Sequence, residues 1–192
     1  MKKVGLTGGI GTGKSIVSRV FSELGISVFY SDNEAKKAYL DDMVLLKVRD
    51  MFGDSVFEQE TLNIEKLATI VFANNDSLTK LNNIIHPFTM DLYDEWIDQH
   101  KEDVYTIMES AIIFEAEIHK QFDKIITVNA PIEICIKRVM ERDNISKESV
   151  LQRMESQFAT NFNTEKSDFV IINDDKTLIL QQVLDIHNTL IF

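Results

Sequence analysis

Residues 5–15 read GLTGGIGTGKS, following the lead MKKV. The spacing Gly8-x-x-x-x-Gly13-Lys14-Ser15 is that of a phosphate-binding loop. It stands between a strand-like apolar run, KVGLT (3–7), and a run of helical periodicity, KSIVSRVFSEL (14–24), which Gly25 stops. Each residue type has a physical task. Gly8, Gly9, Gly11 and Gly13 let the backbone around Thr12 curl and aim several N–H groups at one anion. The helix that follows, through Ser15 and Ile16, adds the positive end of its dipole. The Lys14 ammonium reaches the β- and γ-phosphates of a nucleoside triphosphate, and the Ser15 hydroxyl suits a Mg²⁺ shell. A dinucleotide fingerprint starting at Gly9 would need glycine where Lys14 stands, so that rival fails.

Working outward, the chain alternates short strands with helices. ISVFY (26–30) reads as a second strand, and Ser31 with Glu34 has the capping-box spacing that opens a helix through NEAKKAYL. Residues 62–100 look helical, with a break expected near His86-Pro87. VYTIME (104–109) and KIITVNA (124–130) read as buried strands on either side of a helical SAIIFEAEIHKQF. Helical patterns at 131–142 and 146–160, a strand DFVIIN (168–173) and a last helix (177–190) complete the chain. This order predicts an α/β fold: a five-stranded parallel sheet with helices on both faces. The expected organisation is one domain over 1–192, with a core of 1–40 and 104–192. A helical acceptor-side insertion is expected over about 41–103, and a helical lid over about 138–166.

Composition narrows the class. The 192 residues carry a net charge of −11, which argues against a nucleic-acid binder but not against a small phosphorylated ligand. No apolar run reaches the roughly 20 residues of a membrane helix, and the N-terminus lacks a signal-peptide pattern. The single Cys135 excludes an internal disulfide, so a reducing, cytoplasmic setting is expected. Oligomeric state is not readable from the sequence.

A phosphate loop identifies the ligand, not the reaction. The guanine-reading N-K-x-D is absent. Glu109, ending VYTIME, could serve as the acid of a motor ATPase, but the chain is too short for much machinery. A small-molecule kinase needs an acid near the acceptor hydroxyl, arginines for the transferring phosphoryl group and a cover against water. Asp32 lies just past the second strand and can take the hydroxyl proton; the other reading is an acid favouring a helix N-terminus. Arg138 and Arg142, four apart, share a helix face suited to clamping an anion, with Arg153 on the next helical segment. The other reading is surface pairing, such as Arg138 with Glu141.

Nearly end to end, the chain resembles the dephospho-coenzyme A kinase family. The matching stretches are GLTGGIGTGKS, YSDNEAK, LATIVF (67–72), LNNIIHPFT (81–89), IIFEA (112–116), RVMERDNIS (138–146), RMESQ (153–157) and SDFVIIND (167–174). The resemblance implies transfer of a phosphoryl group from ATP, with Mg²⁺, to the ribose 3′-hydroxyl of dephospho-coenzyme A. It implies that Gly11 to Ile16 hold the ATP phosphates, that Asp32 faces the acceptor and that Arg138 and Arg142 are lid arginines. It also implies Asn173 near the adenine, with His86, Phe114 and Glu115 lining the acceptor's side. Four departures stand out: Tyr30 in place of a first aspartate, Asn63-Ile64 for Asp-Arg, Ala111 for proline and Cys135 for glutamine. Kinases of other nucleotides or nucleosides, and a non-catalytic ATP sensor, remain open at this level.

Overall fold

The computed structural model describes residues 1–158 and 164–192, with all side chains of these except Phe72, Asn75 and 155–158. It forms two compact units, Met1–Tyr30 with His100–Phe192, and Ser31–Gln99.

The first unit is built on five parallel strands: β1 (Lys2–Thr7), β2 (Val28–Tyr30), β5 (Tyr105–Glu109), β6 (Lys124–Asn129) and β7 (Phe169–Ile172). Their order is β2-β5-β1-β6-β7, and every pairing among them is parallel. The expected α/β sheet of five parallel strands is therefore observed. With β1 at the centre, the chain leaves it between β5 and β6, the crevice at carboxyl strand ends where open α/β sheets bind ligands. Alternation along β1 explains the layering. Val4 and Leu6 are fully buried in one cluster with Val17 and Phe21 of α1 (Lys14–Glu23) and Val183, Ile186 and Leu190 of α8 (Ile179–Ile191). Gly5 faces the other way, where a Cβ would lie 2.8 Å from Ile113 and 2.9 Å from Ile125. Phe122 also closes over that position, at 3.2 Å.

That close cover accounts for the largest difference from the expected elements. Residues 110–122 are not an α-helix but turns followed by a 3-10 turn at Ile118–Gln121. Ile113 and Phe122 are apolar because they sit on Gly5, not because they share a helix face. Helices α6 (Ile132–Asp143) and α7 (Lys147–Phe158) follow β6. The last part of the helix expected over 146–160, and part of the lid expected over 138–166, lie outside the described residues. On edge strand β7, the Gln182 side-chain amide accepts from Ile172 N at 2.8 Å and donates to Ile172 O at 2.9 Å.

The second unit is helical. It contains α2 (Ser31–Glu34), a 3-10 helix (Ala35–Leu40), α3 (Asp42–Phe52), α4 (Ile64–Ala73) and α5 (Asn75–Gln99). Asp41 caps α3 by accepting from Val44 N at 3.0 Å, and Asn63 caps α4 by accepting from Lys66 N at 2.9 Å. A two-residue hairpin, β3 (Phe57–Glu58) with β4 (Thr61–Leu62), precedes α4 and was not expected. The break expected near His86-Pro87 is also absent, for α5 runs through Pro87. Proline removes one i→i−4 bond, yet the helix is pinned by buried residues on both sides: Leu81, Ile84 and Ile85 before it, Tyr93 and Ile97 after it. Within that turn the buried Thr89 hydroxyl donates to Ile85 O at 2.9 Å, the usual back-bond of a helical threonine. The interruption falls at Asn74 instead, between α4 and α5, where Asn74 Oδ1 accepts from Asp76 N at 2.8 Å.

Candidate active site

The loop after β1 is held by its own side chains. Thr12 is buried, and its hydroxyl and backbone N–H both donate to Gly9 O, at 2.8 and 3.3 Å. Lys14 is the first residue of α1, and its Nζ donates to Gly8 O at 2.8 Å and Gly9 O at 3.3 Å. The ammonium thus lies folded over the carbonyls of the loop. Gly13 and Gly11 have no room for a side chain. Gly13 caps α1 with φ +95°, and a Cβ there would meet Asn173 Nδ2 at 2.2 Å. Gly11 has φ +79°, and its Cβ would meet Cys135 O at 2.6 Å. Ile16 follows in the first turn, its N–H bonded to Gly13 O at 3.0 Å and its side chain exposed.

Beside the loop stands Glu109, the last residue of β5, paired in register with Leu6. Ser15 Oγ donates to its Oε1 at 3.4 Å, and Ser18 Oγ to its Oε2 at 3.1 Å. Two hard oxygen donors, the Ser15 hydroxyl and the Glu109 carboxylate, thereby meet at the start of α1.

On the opposite flank, β7 and α6 converge on the loop. Asn173 is buried; its N–H donates to Asn129 O at 2.8 Å and its Nδ2 donates to Thr12 O at 2.7 Å. Arg138 of α6 donates from Nη1 to Gly11 O at 3.3 Å and from Nη2 to Asn173 Oδ1 at 3.0 Å, and it pairs with Asp175. Arg142, one turn on, does not join this cluster. Its Nε donates to Asp143 Oδ1 at 2.7 Å, and Arg153 Nη1 donates to Asp143 Oδ2 at 2.7 Å. The hydrogen bond from Arg142 leads the effects that hold the Asp143 carboxyl below its usual range, while the same bond pushes Arg142 up. The two arginines of the shared face are thus divided between two carboxylates, and Glu141 instead lies 4.0 Å from Lys137.

The remaining expected residues lie on other elements. Phe114 is half-buried in the turns after β5, its ring 5.6 Å from that of His119, and Glu115 is exposed. In the helical unit, Asp32 is exposed in α2, two positions past the end of β2. His86 is half-buried within α5, and burial lowers its pKa from the ordinary histidine value. Tyr30 ends β2, paired with Glu109, and Ile64 is an exposed first residue of α4. The structure therefore gathers Lys14, Ser15, Arg138 and Asn173 around one loop. It adds Glu109, whose signal was an acid ending the strand beside β1, and Asp175, which carried no motif.

The sequence profile of the dephospho-CoA kinase family matches residues 2–178. This chain belongs to the dephospho-CoA kinase family. The kinase is 40% identical over 186 residues to a dephospho-CoA kinase of Bacteroides fragilis, covering 96% of this chain and 90% of the relative. It is 36% identical to one from Porphyromonas gingivalis, covering 98% and 94%. Among solved structures, TT1252 from Thermus thermophilus superposes on the kinase with a TM-score of 0.86 at 26% identity, covering 98% and 96% of the two chains. Family membership makes ATP the phosphoryl donor and the protein an ATP-dependent kinase. Among the described residues, no helix is long and apolar enough to cross a membrane.

Proposed function

We propose that the protein phosphorylates the ribose 3′-hydroxyl of dephospho-coenzyme A, releasing coenzyme A and ADP, and does so in the cytoplasm. The observation that carries this reading is the Lys14 ammonium folded over the loop carbonyls of Gly8 and Gly9 in a chain of this family. Lys14 and the first-turn N–H groups of α1 bind the β- and γ-phosphates of ATP. Arg138 and Arg142 contribute further positive charge to the transferring group, and Asn173 and Thr12 keep the loop's shape beneath it.

Asp32 is the acid of the acceptor side. Its carboxylate takes the proton from the 3′-hydroxyl as that oxygen bonds to the γ-phosphorus, and the bond to the β–γ bridging oxygen breaks to leave ADP. His86, Phe114 and Glu115 line the acceptor, residues 41–103 carry its binding surface, and residues 138–166 cover the reaction from water. The hydroxyl of Ser15 and the carboxylate of Glu109 are the hard oxygen pair that suits Mg²⁺, which favours one or two protein oxygens completed by phosphates and water. When bound, Mg²⁺ supplies charge neutralisation between the phosphates.

The test is an ADP-release assay with Mg·ATP, offering dephospho-coenzyme A, adenosine or AMP as acceptor. Release that depends on dephospho-coenzyme A, with a product carrying a 3′-phosphate, is expected. Release that depends instead on another acceptor, or ATP binding with no transfer, overturns the reading.

A further inference from the structure

The turn after β7 carries two aspartates with different employment. Asp174 is a local turn residue: its Oδ1 accepts from Lys176 N at 3.0 Å and Thr177 N at 2.7 Å. Asp175 has φ +62°, a left-handed conformation that costs a residue with a Cβ more than it would cost glycine. Its carboxylate leaves the turn and pairs with Arg138, 37 positions earlier. The carboxylate side chain is 64% exposed, so the pair itself adds little to folding stability. A strained residue making a weak stabilising contact needs another account, and Arg138 supplies it. The same guanidinium reaches Gly11 O in the phosphate loop and Asn173 Oδ1, the side chain that also holds Thr12 O.

We propose that Asp175 is a positioning residue for ATP: it fixes the Arg138 guanidinium across the phosphate loop before nucleotide arrives. An arginine has five N–H donors. Among the described residues, the acceptors at Gly11, Asn173 and Asp175 engage the two terminal nitrogens and leave Nε–H unengaged by them. A phosphate oxygen then meets a fork already ordered, and ATP binding does not have to freeze a long side chain. This inference deepens the proposed function and rests on that reading for its transfer step, but it is read out at ATP binding.

The experiment compares Asp175→Asn, Asp175→Gly, Asp175→Glu and Arg138→Ala, with the Asp175→Asn/Arg138→Ala double variant. Calorimetric titration with Mg·ATP, the KM and kcat for ATP, and thermal unfolding are measured for each. The Asn and Gly variants are expected to weaken Mg·ATP binding and raise KM by roughly 5- to 10-fold, the scale of one charge-assisted contact. Asp175→Gly should melt no lower than the unsubstituted protein, because it relieves the left-handed residue, and Asp175→Glu should recover part of the binding. In the Arg138→Ala background, Asp175→Asn should change nothing further. Unchanged Mg·ATP affinity in both the Asn and Gly variants overturns the proposal, as does an equal loss with and without Arg138. If the unsubstituted protein binds Mg·ATP but transfers to no acceptor, the proposed function falls while Asp175 is still judged by its effect on affinity. If it does not bind Mg·ATP, both fall.

Discussion

The phosphate loop and the helical unit of residues 31–99 are specified in opposite ways. In the loop, individual atoms decide: Gly13 has no room for a methyl beside Asn173, and the Lys14 Nζ sits on two named carbonyls. In the helical unit a stripe decides. Leu67, Val71, Leu81, Ile84 and Ile85 share one buried cluster with Val44 and Val48, and the stripe holds α5 together even through a proline. A site made of single atoms tolerates no substitution, whereas a pattern tolerates any residue of the right size and polarity. The first is written in motifs and the second in periodicity.

The largest expected effect breaks the loop alone. Lys14→Ala should lower kcat/KM for ATP by 10³-fold or so, about 4 kcal/mol of transition-state stabilisation, with little change in melting temperature. Steady-state kinetics beside a thermal melt check this, and near-normal turnover would remove Lys14 from the chemistry. The converse belongs to the helical unit. Leu67, 1% exposed, should cost about 3 kcal/mol of stability as Leu67→Ala, read as a shifted urea midpoint. A loss well under 1 kcal/mol would mean that the stripe does not carry the unit.

Pro87→Ala sharpens the same contrast. Restoring a backbone N–H in the middle of α5 should raise stability by about 1 kcal/mol in urea unfolding, since Pro87 is exposed and the stripe already holds the helix. A drop in stability would show that the ring itself is a fixed part of the unit.

The smallest effect concerns the sheet unit. Tyr105 is fully buried, its hydroxyl 2.7 Å from His187 Nδ1, and burial raises its pKa above the ordinary tyrosine value. The folded chain therefore keeps a proton that the unfolded chain releases above about pH 10. Stability from this group is complete below that pH and falls as pH rises further. Tyr105→Phe should lose about 1 kcal/mol at pH 8, for the missing hydrogen bond, and should flatten the alkaline decline. Urea midpoints between pH 8 and 11 decide it, and parallel curves for the two proteins would refute it.

Legibility in the sequence follows the same division. The loop between β1 and α1, and a parallel sheet of five strands, were readable because short apolar runs and glycine spacing are local signals. Residues 110–122 misled because Ile113 and Phe122 serve Gly5, a partner more than a hundred positions away. The hairpin at 57–62 has strands of two residues, too short for any alternation to show. Pro87 misled because a general rule about prolines yielded to burial on either side. In the site, Lys14 and Ser15 came from a motif, and Arg138 came from its spacing with Arg142. What Arg138 does with Asn173 and Asp175 spans 35 and 37 positions, and no local pattern encodes it.

The amide of Gln182 has a further consequence. It occupies both the N–H and the C=O of Ile172, on a strand at the rim of the sheet, so it counterfeits a neighbouring strand at that residue. An incoming chain seeking to extend the sheet finds those two groups taken, and Val170 and Ile172, partly exposed apolar side chains of that strand, lose a template for sticking. One glutamine thus closes this position of the sheet's rim without a sixth strand.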